Sequence, residues 1–145
     1  MRTVQKIKRI QLDINQNNES VLLGIVSAEP DYKLSLALNK KFRISLKSIS
    51  PVSLHDNDSE LSFSRFSDTS GSPDLVYDLI SNRTGKNFLL KKLKNIDFIF
   101  QISDQGNDIN INNIISSLRE IDSITAVFNI DLKAIKDKHL QYLTH

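Results

Sequence analysis

The run Ile96-Asp-Phe-Ile-Phe-Gln-Ile102 constrains this 145-residue chain more than any other stretch. Its apolar residues fall at 96, 98, 100 and 102, the two-residue period of a β-strand. Ile96 and Phe98 then point to one face and Asp97 to the other. A strand this apolar belongs in the middle of a sheet, so the rest of the chain must supply neighbouring strands and a cover.

The flanking patterns do so. Ile10, Leu12 and Ile14 alternate with polar residues, and Val21–Val26 is a more buried run, so the two read as a hairpin across the polar turn 15–18. Pro30 opens a helix, because its missing N–H costs nothing in a first turn. Leu34, Ala37 and Leu38 recur at helical spacing, and Lys40 and Lys41 suit its C-terminal end. Phe42, Ile44 and Leu46 alternate and predict a strand. Residues 47–60, Ser-rich and broken by Pro51, read as a polar loop, and they are the weakest seam in the chain. Strands over 61–67 and 74–81 flank the turn signal 68–73 and predict a second hairpin. Asn82–Asn87 is a further turn and Phe88–Leu90 a short extended piece. After 96–102 comes an acidic turn with Asp104 and Asp108, whose carboxylates suit the N-terminus of the next helix. Ile111, Ile114, Ile115 and Leu118 form that helix's stripe. Ile124, Ala126, Phe128 and Ile130 alternate as a strand, and Asp131 caps a last helix carrying Leu132, Ile135 and Leu140.

Strands outnumber helices and several are joined by tight turns. The expected class is therefore α+β: a mainly antiparallel sheet with two to three helices packed on it and a C-terminal strand–helix–strand unit over 96–130. That unit resembles half of a ferredoxin-like or ACT-like arrangement. With no internal repeat and no composition break, residues 1–145 read as a single domain. Such a length can bury roughly 70% of its unfolded surface, so it needs no crosslinks to hold a core.

Several chemistries are excluded residue by residue. There is no cysteine, hence no disulfide, thiolate nucleophile or Cys-ligated metal. His55, His139 and His145 have no partner at metal-ligand spacing. Asp56, Asp58 and Glu60 imitate the start of a calcium loop, but Leu61 stands where Gly is needed and Ser67 where the closing Glu is needed. Thr84-Gly-Lys-Asn87 resembles the end of a phosphate loop, yet Ile80 and Asn87 replace its first Gly and its hydroxyl residue. No pair of titratable groups can be nominated for acid–base work, so no catalytic residue, metal or cofactor is expected, and no enzyme. Asn18, Asn57 and Asn82 begin N-x-S/T triplets that carry no meaning in a cytoplasmic protein. The cytoplasm is the expected location, because no long apolar run exists to serve as signal or membrane span.

Net charge is +2, and thirteen of the nineteen basic residues fall into three clusters. These are Arg2, Lys6, Lys8 and Arg9; Lys40, Lys41, Arg43 and Lys47; and Arg83, Lys86, Lys91, Lys92 and Lys94. Solvated faces explain them most simply. The last cluster is the candidate basic surface. Its neighbours Phe88 and Phe98, like Phe63 and Phe66 around Arg65, alternate with Leu and Ile as core residues do, rather than as a stacking platform for RNA.

Leu90-Lys-Lys-Leu-Lys-Asn-Ile96-Asp97-Phe98 resembles the signature of the IPExxxVDY family, small uncharacterised proteins of Bacteroidota. Leu90, Ile96, Asp97 and Phe98 take the Ile, Val, Asp and Tyr places, while Lys91 and Lys92 stand at Pro and Glu. Residues 31–39, 79–82 and 126–131 resemble the family's first helix, the turn before the signature, and the final strand. The resemblance implies no activity. By itself, Asp97 reads as a carboxylate exposed on an open face or held by hydrogen bonds, with a Lys or Arg across the strand as its partner.

The expected function is binding to another protein by a non-catalytic domain, with homo-oligomers compatible. An ACT-like small-molecule sensor is one alternative. An RNA- or ribosome-associated protein using the basic clusters is the other. No membrane partner is expected.

Overall fold

In the computed structural model, which describes residues 19–56, 59–68, 75–104 and 109–131, the run that opens the sequence argument is indeed central. The elements are β1 (Glu19–Ser27), α1 (Asp31–Phe42), β2 (Lys47–Asp56), β3 (Ser59–Asp68), β4 (Leu75–Ser81), β5 (Arg83–Thr84), β6 (Asn87–Phe88), β7 (Phe98–Asp104), α2 (Ile111–Arg119) and β8 (Ile124–Asn129). Six strands form one sheet in the order β2-β3-β4-β7-β1-β8, and every pairing in it is antiparallel. Strand β7 lies between β4 and β1, with Phe100 opposite both Leu79 and Leu23. The class is α+β, as expected. The 61–67 and 74–81 pairing holds, running from Arg65–Ile80 to Asp68–Tyr77. In the strand–helix–strand unit, β1 is inserted between β7 and β8.

Both faces of the sheet are buried. On the first, Val21, Leu23, Ile25, Leu79, Phe98, Phe100 and Ile102 pack against α1 (Leu34, Leu38) and α2 (Leu118). On the second, Leu22, Leu54, Phe63, Ile80 and Ile99 pack against Leu89, Leu90 and Ile96, which come from the non-repetitive segment after β6. Helices thus cover one face and an irregular strap covers the other.

Four expectations are corrected. Phe42 ends α1, and Arg43 turns the chain in the left-handed region (φ 55°), so the 42–46 strand does not form. Asn39 secures this exit: its Oδ1 accepts from the Leu46 N–H at 2.7 Å. Residues 47–56 are not a loop but edge strand β2, paired with β3 from Lys47–Ser67 to Asp56–Ser59. A shift between Ile49 and Val52, around Pro51, changes which parity faces inward and hides the alternation. Ile96 precedes β7, and it packs in the second core while Phe98 packs in the first. The N-cap of α2 is Asn110, whose side chain accepts from Asn113 N, and Asp104 belongs to the end of β7. The expected Ile10–Ile14 strand, the Asp108 cap and the last helix lie outside the described residues.

Candidate functional site

Asn82 organises the strap. It is fully buried, and all of its hydrogen-bonding groups are engaged. Its Nδ2 donates to the carbonyls of Leu93 and Ile96 at 2.9 Å each, and its Oδ1 accepts from Leu90 N at 2.7 Å. Its own N–H donates to Asp97 O, and its C=O accepts from Leu89 N. The short β5–β6 hairpin turns on Gly85, whose φ of 58° suits the first place of a two-residue turn. Thr84-Gly-Lys-Asn87 is therefore a hairpin.

The residues Leu90, Ile96, Asp97 and Phe98 divide into packing and pinning. Leu90, Ile96 and Phe98 are buried, at 0%, 2% and 7% exposure, in the two cores. Ile96 lies directly over Gly24 of β1; a Cβ there would stand 2.3 Å from Ile96 Cδ1. Asp97 pins the end of β1. Its Oδ2 accepts from the Ser27 N–H at 3.0 Å, beside the irregularity at Val26/Ser27, and its Oδ1 pairs with Arg83 Nη2 at 2.9 Å. Its backbone N–H donates to Ile25 O. Asp97 is thus held by hydrogen bonds, and its cation comes from the adjoining hairpin rather than from across the strand. Arg83 also lies over the Phe88 ring at 5.1 Å. These contacts account for Asp97 as a structural residue.

Among the described residues, the basic side chains are divided between the two sides of the sheet. Arg83 is engaged as above, and Lys86, Lys91, Lys92 and Lys94 are exposed along the strap. Lys40, Lys41 and Arg43 sit at the end of α1, on the opposite side of the sheet. Residues 2–9 lie outside the described residues. Phe63 and Phe98 are buried and Phe66 packs on the first core, as the alternation indicates. His55 is exposed on β2 opposite Glu60, while His139 and His145 lie outside the described residues. Among the described residues, no three His, Asp or Glu side chains gather in a way that could hold a metal.

Two further features were not singled out by sequence. The first is a polar row within the second sheet face. Ser67, Asp78, Gln101 and Leu22 are successive cross-strand partners on β3, β4, β7 and β1. Asp78 and Gln101 are 3% and 1% exposed, and Arg65 Nε approaches Asp78 Oδ1 at 3.6 Å. That carboxylate oxygen, Arg65 Nε and Gln101 Oε1 make no hydrogen bond. On the first face, Tyr77 stacks on Phe100 with centroids 5.9 Å apart. Burial raises its phenol above the ordinary value near 10, and the Asp104 and Asp68 carboxylates raise it further.

The second feature is the outer face of α1. Tyr32 and Leu36, one turn apart, are 55% and 63% exposed, and Lys33 and Lys40 flank them. The stripe runs into a groove of about 450 Å³ lined by Ala37, Lys40, Lys41, Arg43, Glu120 and Ile121. Lys41 pairs with Glu120 across it, joining the end of α1 to the turn after α2.

No protein-family model matches the chain, and no curated protein matches it either.

Proposed function

We propose that this is a non-catalytic domain that acts by binding another protein on the helix-covered side of its sheet. One observation carries the reading: Tyr32 and Leu36 form an exposed apolar pair on α1, whose inner stripe, Leu34 and Leu38, is already spent on the core. A large apolar pair left in water beside charged residues is the ordinary composition of a docking patch, with an aromatic anchor and a polar rim. No helix among the described residues is long and apolar enough to cross a membrane, and a cytoplasmic location fits the reading.

The RNA alternative has less support, since Lys40, Lys41 and Arg43 lie across the sheet from the strap lysines and a backbone-tracking groove needs them together. The sensing alternative rests on the β7–α2–β8 unit alone. Membership of the IPExxxVDY family stays a proposal; the packing of Leu90, Ile96, Asp97 and Phe98 gives a physical reason for a residue pattern at those places.

The test is quantitative affinity capture from an extract of the native host, using the tagged full chain with and without nuclease. Nuclease-resistant recovery of a defined protein supports the reading. Recovery of nothing, or recovery abolished by nuclease, overturns it.

A further inference from the structure

We infer that the outer face of α1, together with the groove at its C-terminal end, receives an acidic amphipathic segment of a partner protein. The inference rests on the protein-binding reading and adds the address and the chemistry of the partner.

The charge balance of the surface points to that chemistry. Three cations and one carboxylate line the groove. The Lys41–Glu120 pair neutralises one of those cations. Lys40 and Arg43 have no acidic partner among the described residues, and Lys33 adds a third exposed positive charge beside Tyr32. The α1 carboxylate, Asp31, is at the other end of the helix, where its Oδ1 accepts from Tyr32 N at 2.7 Å. Positive charge is thus densest at the C-terminal end of the helix. A partner's carboxylates gain most near Lys40 and Arg43, which also fixes the partner's direction.

The apolar contribution is equally placed. Tyr32 and Leu36 at i and i+4 present a two-residue ridge, and Ala37 and Ile121 give the groove an apolar floor. A helical segment with its own apolar residues one turn apart covers the ridge and seats one side chain in the groove, the helix-in-groove mode of recognition. Acidic residues flanking those anchors then meet Lys33, Lys40 and Arg43. Charge alone would leave Tyr32 and Leu36 in water, and a purely apolar partner would bury Lys40 and Arg43 unpaired. The combination satisfies both.

The test uses a fluorescent synthetic peptide of about 16 residues, helical, with Leu and Phe one turn apart among Glu and Asp. Its controls are a scrambled peptide of the same composition, polyglutamate and phosphatidylserine vesicles. Binding to the full chain is read by anisotropy. The expected result is saturable binding of the patterned peptide, weakened about tenfold or more by Leu36→Glu and by Arg43→Glu, and unchanged by Lys92→Glu on the opposite face. Circular dichroism melts check that each variant is folded. Equal binding of scrambled peptide or polyglutamate overturns the inference, as does stronger binding to vesicles or indifference to Leu36→Glu. In the extract, a partner held equally by wild type and by Leu36→Glu removes this address and leaves protein binding standing. An extract that yields no partner, with no peptide binding, removes both.

Discussion

At the residue scale, Asn82 ties the strap to the sheet. Three side-chain hydrogen bonds and two backbone bonds leave it fully satisfied at 0% exposure. Asn82→Ala would strand the Ile96 carbonyl and the Leu90 N–H in the second core and leave the Leu93 carbonyl with the Ile96 N–H alone. At about 1–3 kcal/mol for each buried group left unpaired, we expect a loss of several kcal/mol in urea unfolding. Asn82→Asp should fare little better, because its carboxylate keeps the Leu90 bond but sets an acceptor against the Leu93 and Ile96 carbonyls. An unchanged midpoint in both variants would refute this account. Nothing in the sequence flags the role, because an Asn before Arg-Thr-Gly-Lys reads as a surface turn; only the strap folding over it buries it. Tyr77 supports a prediction about pH. Its raised phenol pKa means that the folded state keeps the proton longer than the unfolded chain does. Its contribution is intact below the unfolded value of about 10 and is lost as pH rises through the folded value. Wild-type stability should therefore fall more steeply above about pH 10 than that of Tyr77→Phe. Parallel pH profiles of the two urea midpoints would show that the phenol takes no part.

At the element scale, the strap over the second face depends on one close approach. Gly24 in β1 leaves room for Ile96, and a methyl group at 24 must displace Ile96 Cδ1. Gly24→Ala should cost about 1–3 kcal/mol through overpacking. Ile96→Val removes the clashing carbon and alone should cost about 0.5–1.5 kcal/mol. Combined, the two should cost less than their sum, a coupling that urea titration of the four proteins of the cycle would measure. Strict additivity would mean that the strap shifts freely over β1. The same elements show what sequence could and could not reveal. Helices α1 and α2 were legible because each buries one face and so keeps a helical period, and the β3–β4 hairpin was legible from the turn signal between two apolar runs. Strand β2 was hidden by the shift at Pro51, which separates Ile49 from Val52 by an odd number of residues. Ile96 matched the parity of β7, yet it belongs to the strap, because the chain crosses to the other core between Ile96 and Phe98. The outer stripe of α1 was not legible, because the exposure of Tyr32 and Leu36 depends on which side of the helix meets the sheet.

At the scale of the whole molecule, one sheet serves two cores, and that raises a question of register. Where a sheet has one wet face, a one-residue slip turns its apolar side chains into water and is heavily penalised. Here Leu79 and Ile80, and likewise Ile99 and Phe100, are buried on opposite faces, so a slip of β4 against β7 merely exchanges one apolar environment for another. The polar row supplies the missing penalty. Only in the observed register do Asp78 and Gln101 face each other, with Arg65 one diagonal step away. A one-residue slip sets the Asp78 carboxylate opposite Phe100 or Ile102. Arg65→Met alone leaves the Asp78 carboxylate without its cation in the interior and should destabilise by about 3 kcal/mol or more. Replacing the whole row, as Arg65→Met with Asp78→Leu and Gln101→Leu, removes the desolvation cost. It should restore or exceed wild-type stability, by about 1–4 kcal/mol if buried pairs elsewhere are a guide. The gain comes with a loss of discrimination, because only the serine contacts near the strand ends, Ser64–Ser81 and Ser20–Ser103, then distinguish one register from the next. Amide resonances of β4 and β7 in the triple variant should broaden or double, while those of α1 stay sharp. A triple variant that is less stable than wild type and gives a single sharp set of resonances would show that the row contributes energy rather than register.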